Sequence, residues 1–217
     1  LPRLSGRSGG PVVTDVASVK GSLRDAAIAV AGAMPPQLVL GHPIAGSEHS
    51  GVDAASADLF VNHRVILTPV AGNDPAAVEL VRSMWVSAGA DVVDMTVEQH
   101  DAVLAATSHL PHLLAYTLVD ALSSSDASDD IFRCAAGGFR DFTRIASSDP
   151  VMWRDIAIAN KTALLESIDL FSEHLNRMRT AVQDANADEL LNTFNRAKRA
   201  RDEFAALFAQ RSGRKTP

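Results

Sequence analysis

The spacing of apolar residues changes character near residue 95. Before it, short runs rich in Val, Ile and Leu alternate with helix-length stretches. Strands are predicted over 12–16, 38–40, 64–68 and 91–94, with helices over about 20–33 and 75–88. Pro35-Pro36 stops the first helix, Pro69 ends the third strand and Pro75 opens the second helix. Residues 41–58, rich in Gly, Ser and Ala, read as a loop. Strands alternating with helices predict an α/β sheet.

From Thr96 onward the strand signal stops. Residues 97–122 predict one long helix with Pro111 near its middle. That proline removes a backbone N–H and crowds the carbonyl of Thr107, which predicts a kink. Asp149-Pro150 reads as an N-cap followed by proline in the first turn. The helix it opens carries a stripe through Ile156, Leu164, Phe171, Leu175 and Val182, and a last helix over 187–210 carries another through Leu191, Phe194, Phe204 and Phe208. The stripes serve either an intramolecular helical core or a dimer interface, and one stripe can do both.

Composition narrows the partners. Hydrophobic residues at 47% and charged residues at 21% are those of a globular protein, and the net charge of −6 argues against nucleic acid or an anionic membrane. The basic residues Arg196, Lys198, Arg199 and Arg201 read as a solvated helix face. Cys134 is the single cysteine, which excludes an internal disulfide and a multi-cysteine metal site and suits the cytoplasm. No apolar run is read as approaching the ~20 residues of a membrane helix, and no signal-peptide h-region opens the chain. The first ten residues read as a linker or as the edge of a truncated reading frame.

Several residues could carry chemistry. His42 follows a strand, where ligands of open α/β sheets sit, and its ordinary pKa near neutrality suits acid–base work. Ser18 also follows a strand; its hydroxyl either caps the helix near Lys20 or contacts a ligand. Lys20 reads as a helix-start or phosphate-proximal charge. Ser108 and His112 share a helix face, with His109 turned about 60° from His112; this is too few ligands for zinc, so no metal is expected. Arg140 and Arg144 flank Asp141 after Gly137-Gly138, either as a surface network or as a carboxylate site, since guanidinium grips carboxylate bidentately.

Four blocks stand in order: Asp15-Val16-Ala17-Ser18-Val19-Lys20, Gly41-His42-Pro43-Ile44-Ala45-Gly46-Ser47-Glu48, Ser108-His109-Leu110-Pro111-His112, and Gly137-Gly138-Phe139-Arg140-Asp141-Phe142-Thr143-Arg144-Ile145-Ala146. Together they resemble the prephenate dehydrogenase family, over residues 12–171. The resemblance implies a partial Rossmann-type α/β domain over 1–95, then an all-α substrate-binding and dimerisation domain over 96–217. It implies oxidative decarboxylation of prephenate to 4-hydroxyphenylpyruvate, in tyrosine biosynthesis, with NAD or NADP, by a homodimer. His42 would accept a hydrogen bond from the substrate hydroxyl, and Ser18 would bridge that hydroxyl and the nicotinamide. Ser108, His112 and Arg144 would line the pocket, with Asp141 orienting Arg144 and Trp153, Ser47 and Glu48 in reach of substrate. Lys20 and Ser18 are the residues assigned to the cofactor.

Three alternatives stay open. The substrate could be arogenate. A β-hydroxyacid-type dehydrogenase would need a catalytic lysine in the helical half, where Lys161 lies in the wrong kind of motif. The chain alone could be an inactive dimerising module, because the family's first strand and glycine-rich turn lie upstream of Leu1 in the resemblance. On that expectation the isolated chain turns nothing over, and its sheet edge near residues 12–16 promotes association.

Overall fold

The structure, a computed structural model, describes residues 10–46, 51–52 and 55–211. Residues up to Leu165 form one compact unit and those from Glu166 a second. In the first unit, β1 (Val13–Thr14) pairs in parallel with β2 (Leu38–Val39). β4 (Arg64–Leu67) lies between antiparallel β3 (Gly41–Ile44) and parallel β5 (Asp91–Asp94). Leu38, Val39, Leu40, Val65, Ile66 and Leu67 are all buried, as strands covered on both faces must be. One face packs Val39, Val65 and Leu67 against Ala77, Val81 and Trp85 of α2 (Pro75–Ser87). The other packs Leu38 and Leu40 with Ala27 of α1 (Gly21–Ala31) and Val97.

The first predicted strand shrinks to two residues because the backbone turns at Asp15, whose Oδ1 accepts from the Ala17 N–H at 2.9 Å. The predicted loop, in turn, begins as a strand. Gly41, His42, Pro43 and Ile44 pair with Leu67, Ile66, Val65 and Arg64, so His42 lies within β3 rather than after a strand. Glycine and proline hide this strand from a pattern search, yet each has a place. Pro43 is tolerated because β3 is at the sheet edge. A Cβ on Gly41 would stand 3.3 Å from each of Asp15 O, Thr14 Oγ1 and Leu67 Cδ2, so the close approach there favours glycine.

The long helix is continuous but not uniform. α3 (Val97–Leu104) passes through a π-helical turn, Ala105–His109, into α4 (Leu110–Ser123). The predicted irregularity is therefore centred before Pro111, which falls in the first turn of α4 and so loses little by lacking an N–H. The segment Val97–Ser123 is long and apolar enough to cross a membrane by length and composition, which corrects the reading of the sequence on that point. Buried Leu104, Ala105, His100 and His109, with protein partners for both histidines, are the marks of a helix packed within protein. Short helices α5 (Ser128–Cys134) and α6 (Gly137–Thr143) and a 3-10 turn (Arg144–Ser147) follow.

Asp149 caps α7 (Pro150–Ala159) as predicted, accepting from the Met152 N–H at 2.7 Å. The helix then breaks at Asn160 before α8 (Lys161–Gln183), so the predicted continuous stripe belongs to two helices. Ile156 and Leu164 are buried. In the second unit, Leu170, Leu175 and Val182 of α8 and Leu191, Phe194 and Phe204 of α9 (Ala187–Arg211) are exposed.

Candidate active site

The segment Asp15–Lys20 is shaped by its two ends. Lys20 is 0% exposed, and its ammonium donates to Asp15 Oδ1 and, at 2.6 Å, to the Gly41 carbonyl. Asp15 Oδ2 accepts from the Gly41 N–H at 3.1 Å. Burial pushes the Lys20 pKa down while the Asp15 carboxylate pulls it back. The lysine assigned to the cofactor is thus turned inward, where it ties the Asp15–Lys20 loop, which carries Ser18, to Gly41 of β3. Ser18 is not the N-cap of α1: Lys20 occupies that position, without a side-chain cap. Ser18 lines an open groove of about 430 Å³ with Ser22, Leu23, Met152 and Asp155.

The cap of α1 comes from 80 residues away. Asp101 Oδ1 accepts from the Lys20 N–H at 2.9 Å and Oδ2 from the Gly21 N–H at 2.8 Å. A Cβ on Gly21 would stand 2.8 Å from Asp101 Oδ2, so a larger residue there would displace this carboxylate. The same carboxylate contacts His100 Nδ1 at 2.8 Å, and His100 Nε2 meets His42 Nδ1 at 2.9 Å. Burial works to raise the Asp101 pKa, but the bonds from His100, Lys20 and Gly21 outweigh it and hold it below the ordinary carboxylate value. His42 is pushed down to about 3, first by burial and then by the electrostatic effect of His100, Lys20 and His109 nearby.

A second arm runs through α7. The Asn160 amide nitrogen donates to the Asp101 carbonyl at 2.8 Å and meets His109 Nδ1 at 3.0 Å. His109 is pushed down to about 4, chiefly by burial. His112 stacks on Trp153, centroids 3.5 Å apart and planes at 17°, and donates from Nδ1 to the Ser108 carbonyl at 2.8 Å. His109, His112, Tyr116, Trp153 and Arg154 help line a pocket of about 210 Å³. The structure therefore joins His42, Lys20, His109, His112 and Trp153 through contacts and gathers Ser18 into the adjoining loop. Asp141 pairs with exposed Arg140 at 3.0 Å, Arg144 opens the 3-10 turn at an exposed position, and Ser47 and Glu48 lie outside the described residues.

Part-buried His42 and buried His109, both held uncharged near neutrality, make stability fall in acid. Both folded-state values lie below the ordinary 6.5, so the unfolded chain binds more protons as pH drops. The stabilisation is complete above about 6.5 and is lost as pH falls through 6.5 towards 4, by about 1.4 kcal/mol per unit for each histidine. Urea midpoints measured from pH 7.5 to 4.5 should fall, and His109→Gln should flatten that fall; a slope unchanged in the variant would remove His109 as a cause.

Two family models divide the chain between them: the prephenate dehydrogenase nucleotide-binding domain over residues 7–94 and the prephenate dehydrogenase dimerization domain over residues 96–196. The chain belongs to the prephenate dehydrogenase family. A cyclohexadienyl dehydrogenase of Zymomonas mobilis is 42% identical over 76% of this chain and 57% of its own length. A prephenate dehydrogenase of Bacillus subtilis is 42% identical over 88% of this chain and 52% of its own. The chain thus spans about half the length of these curated relatives. Among solved structures, prephenate dehydrogenase from A. aeolicus with hydroxyphenyl propionate and NAD+ superposes with a TM-score of 0.82 at 40% identity, covering 89% of this chain and 67% of that one. The α/β part followed by helices is the arrangement of the family.

Within this prephenate dehydrogenase fold, His100, Asp101 and Asn160 were not legible as site residues. The one available signal was His100-Asp101, an ionisable pair on an otherwise apolar helix face, with Gly21 following Lys20 at a helix start. Neither says what it meets.

Proposed function

We propose that the intact protein catalyses the oxidative decarboxylation of prephenate to 4-hydroxyphenylpyruvate with NAD or NADP, in the tyrosine branch of aromatic amino acid synthesis. The observation that carries this reading is His42, an uncharged imidazole on β3 beside the Ser18 loop, in a chain of this family. The dinucleotide, when bound, supplies the hydride acceptor. The C–H bond at the hydroxyl-bearing ring carbon breaks, and the bond to the ring carboxylate gives its electron pair to the aromatic ring as CO2 departs. Neutral His42 accepts a hydrogen bond from the hydroxyl, which strengthens as positive charge develops on that carbon. Ser18, able to donate and accept at once, would bridge the substrate hydroxyl and the nicotinamide carboxamide.

Ser108 and His112 are assigned to the substrate pocket, with Trp153 as its aromatic wall and Asp141 beside Arg144 in its carboxylate-binding part. The division between nucleotide-binding and helical parts is placed at 95/96, supported by the two family models that meet there. The test is formation of reduced cofactor by the intact protein at millimolar prephenate, with NAD and NADP in turn and arogenate in parallel. Turnover with arogenate alone would change the substrate; none with either would reject the reading.

For Arg144, loss of a charge-assisted bidentate contact costs about 2–4 kcal/mol, so Arg144→Ala should raise KM for prephenate roughly 30-fold or more. An unchanged KM would return Arg144 to a structural role. We also infer a homodimer formed through α8 and α9, supported by the exposed Leu175, Leu191 and Phe204 and by the match to a dimerization domain. Phe204→Asp should lower the mass seen by light scattering at micromolar concentration, since it would bury an unpaired charge; an unaltered mass would place the interface elsewhere. A single exposed cysteine and enzymes of amino acid synthesis as relatives support a cytoplasmic location.

A further inference from the structure

We propose that His100 and Asp101 are a positioning pair that holds His42 as the Nδ1–H tautomer, so that the Nε2 lone pair is the one presented to substrate. The inference rests on the reading of His42 as the hydrogen-bond acceptor. It follows from counting donors along one line. Asp101 accepts the backbone N–H groups of Lys20 and Gly21 at 2.9 and 2.8 Å, a load that only an ionised carboxylate carries well. An ionised carboxylate can only accept, so His100 Nδ1, 2.8 Å away, bears the proton. With a single ring proton, His100 then has a lone pair on Nε2, which can only accept from His42 at 2.9 Å. His42 Nδ1 is therefore the protonated nitrogen and Nε2 the free base.

Each link is held from outside the line. His100 is 0% exposed, so water does not compete for either ring nitrogen. Asp101 is kept in place by the N-terminus of α1, and Gly21 leaves the 2.8 Å approach open. Asn160 holds the Asp101 carbonyl at 2.8 Å, which ties α3 to the end of α7. The opposite tautomer of His42 would place two lone pairs against each other at 2.9 Å, require Asp101 to be protonated, or require a second proton on His100. A shift of the proton to Nε2 would turn the acceptor that the reaction needs into a donor. Catalytic histidines are oriented in this way by a carboxylate in the Ser-His-Asp triad, where disturbing the tautomer costs far more than disturbing binding. Here the carboxylate acts through a second imidazole.

The test reads the tautomer directly. Long-range 1H–15N correlation of the 15N-labelled protein separates pyrrole-type from pyridine-type ring nitrogens. At pH 7 His42 should show Nδ1 pyrrole-type and Nε2 pyridine-type; the reverse assignment would overturn the proposal. In His100→Leu, which deletes the acceptor at similar volume, His42 should move towards the Nε2–H form. In the intact protein the same change should lower kcat about 10- to 100-fold, as loss of a partner that orients a functional histidine does, with KM little altered. His100→Gln, whose carbonyl can accept from His42 Nδ1, should recover most of kcat and the tautomer. A His100→Leu protein that keeps both the Nδ1–H form and kcat would overturn the proposal, and if that variant fails to fold, the wild-type and Gln spectra still decide. The expected tautomer in a protein that turns over neither prephenate nor arogenate would keep the pair and reject the function.

Discussion

His42→Asn should lower kcat of the intact protein at least ~100-fold while KM for prephenate changes little, since general acid–base effects contribute ~10²–10⁴ in rate. The substitution keeps the donor and removes the acceptor. The Asn amide nitrogen can still donate to His100 Nε2, where His42 Nδ1 stands at 2.9 Å, but its oxygen then lies at the place of Cδ2 and falls short of Nε2. What it lacks is a base at that position. An amide oxygen is a far poorer proton acceptor than imidazole, and the difference is felt most where positive charge develops at the reacting carbon. The loss should therefore fall on the transition state and leave binding alone. Steady-state kinetics with saturating cofactor checks this, and turnover within a few-fold of wild type would take His42 out of the mechanism.

Lys20→Met should cost about 3–5 kcal/mol of folding stability, the usual result of removing one partner of a buried ion pair. The lower end is the better expectation because the Asp15 side chain keeps 17% exposure and two N–H donors, from Ala17 and Gly41. For a chain of this length, about 3 kcal/mol corresponds to a thermal midpoint lower by roughly 6–12 °C. Asp15→Asn in the same background should return part of it, because the stranded carboxylate goes. A thermal midpoint unchanged in Lys20→Met, together with lost NAD or NADP binding, would restore the cofactor role first assigned to this lysine. The two outcomes separate cleanly because, among the described residues, the partners of the Lys20 ammonium are Asp15 and Gly41.

Lys20 and His42 show how far the chain could be read without coordinates. In both cases the residue was found and its setting was not. Lys20 reads as a charge at a helix start or near a phosphate, and it is at a helix start. Its burial depends on Gly41, 21 residues away, offering a carbonyl at 2.6 Å. His42 looked like a residue on a loop because Gly41 and Pro43 suppress the strand signal, while the pairing to β4 that makes the strand is a property of two segments. Pro111 predicts a disturbance of the long helix, and the helix has one just before it. The helix absorbs it by widening a turn over Ala105–His109, and the neighbours that favour this choice are tertiary.

What the sequence determined by itself is everything set by local chemistry and period. The alternation of apolar runs requires a sheet flanked by helices, and Asp149-Pro150 starts α7 where the cap and the proline put it. The four motif blocks, matched residue by residue, were enough to point to the family that the two domain models then confirmed. What only the tertiary structure decided is which polar group satisfies which. His100 lies 58 residues from His42, and Asp101 lies 80 from Gly21. Hydrogen bonds at such separations leave no periodic trace, because each depends on where two independently folded segments are brought together. Burial then sets the charge states: the same imidazole that would titrate near neutrality in water is held uncharged once the sheet and helices close around it.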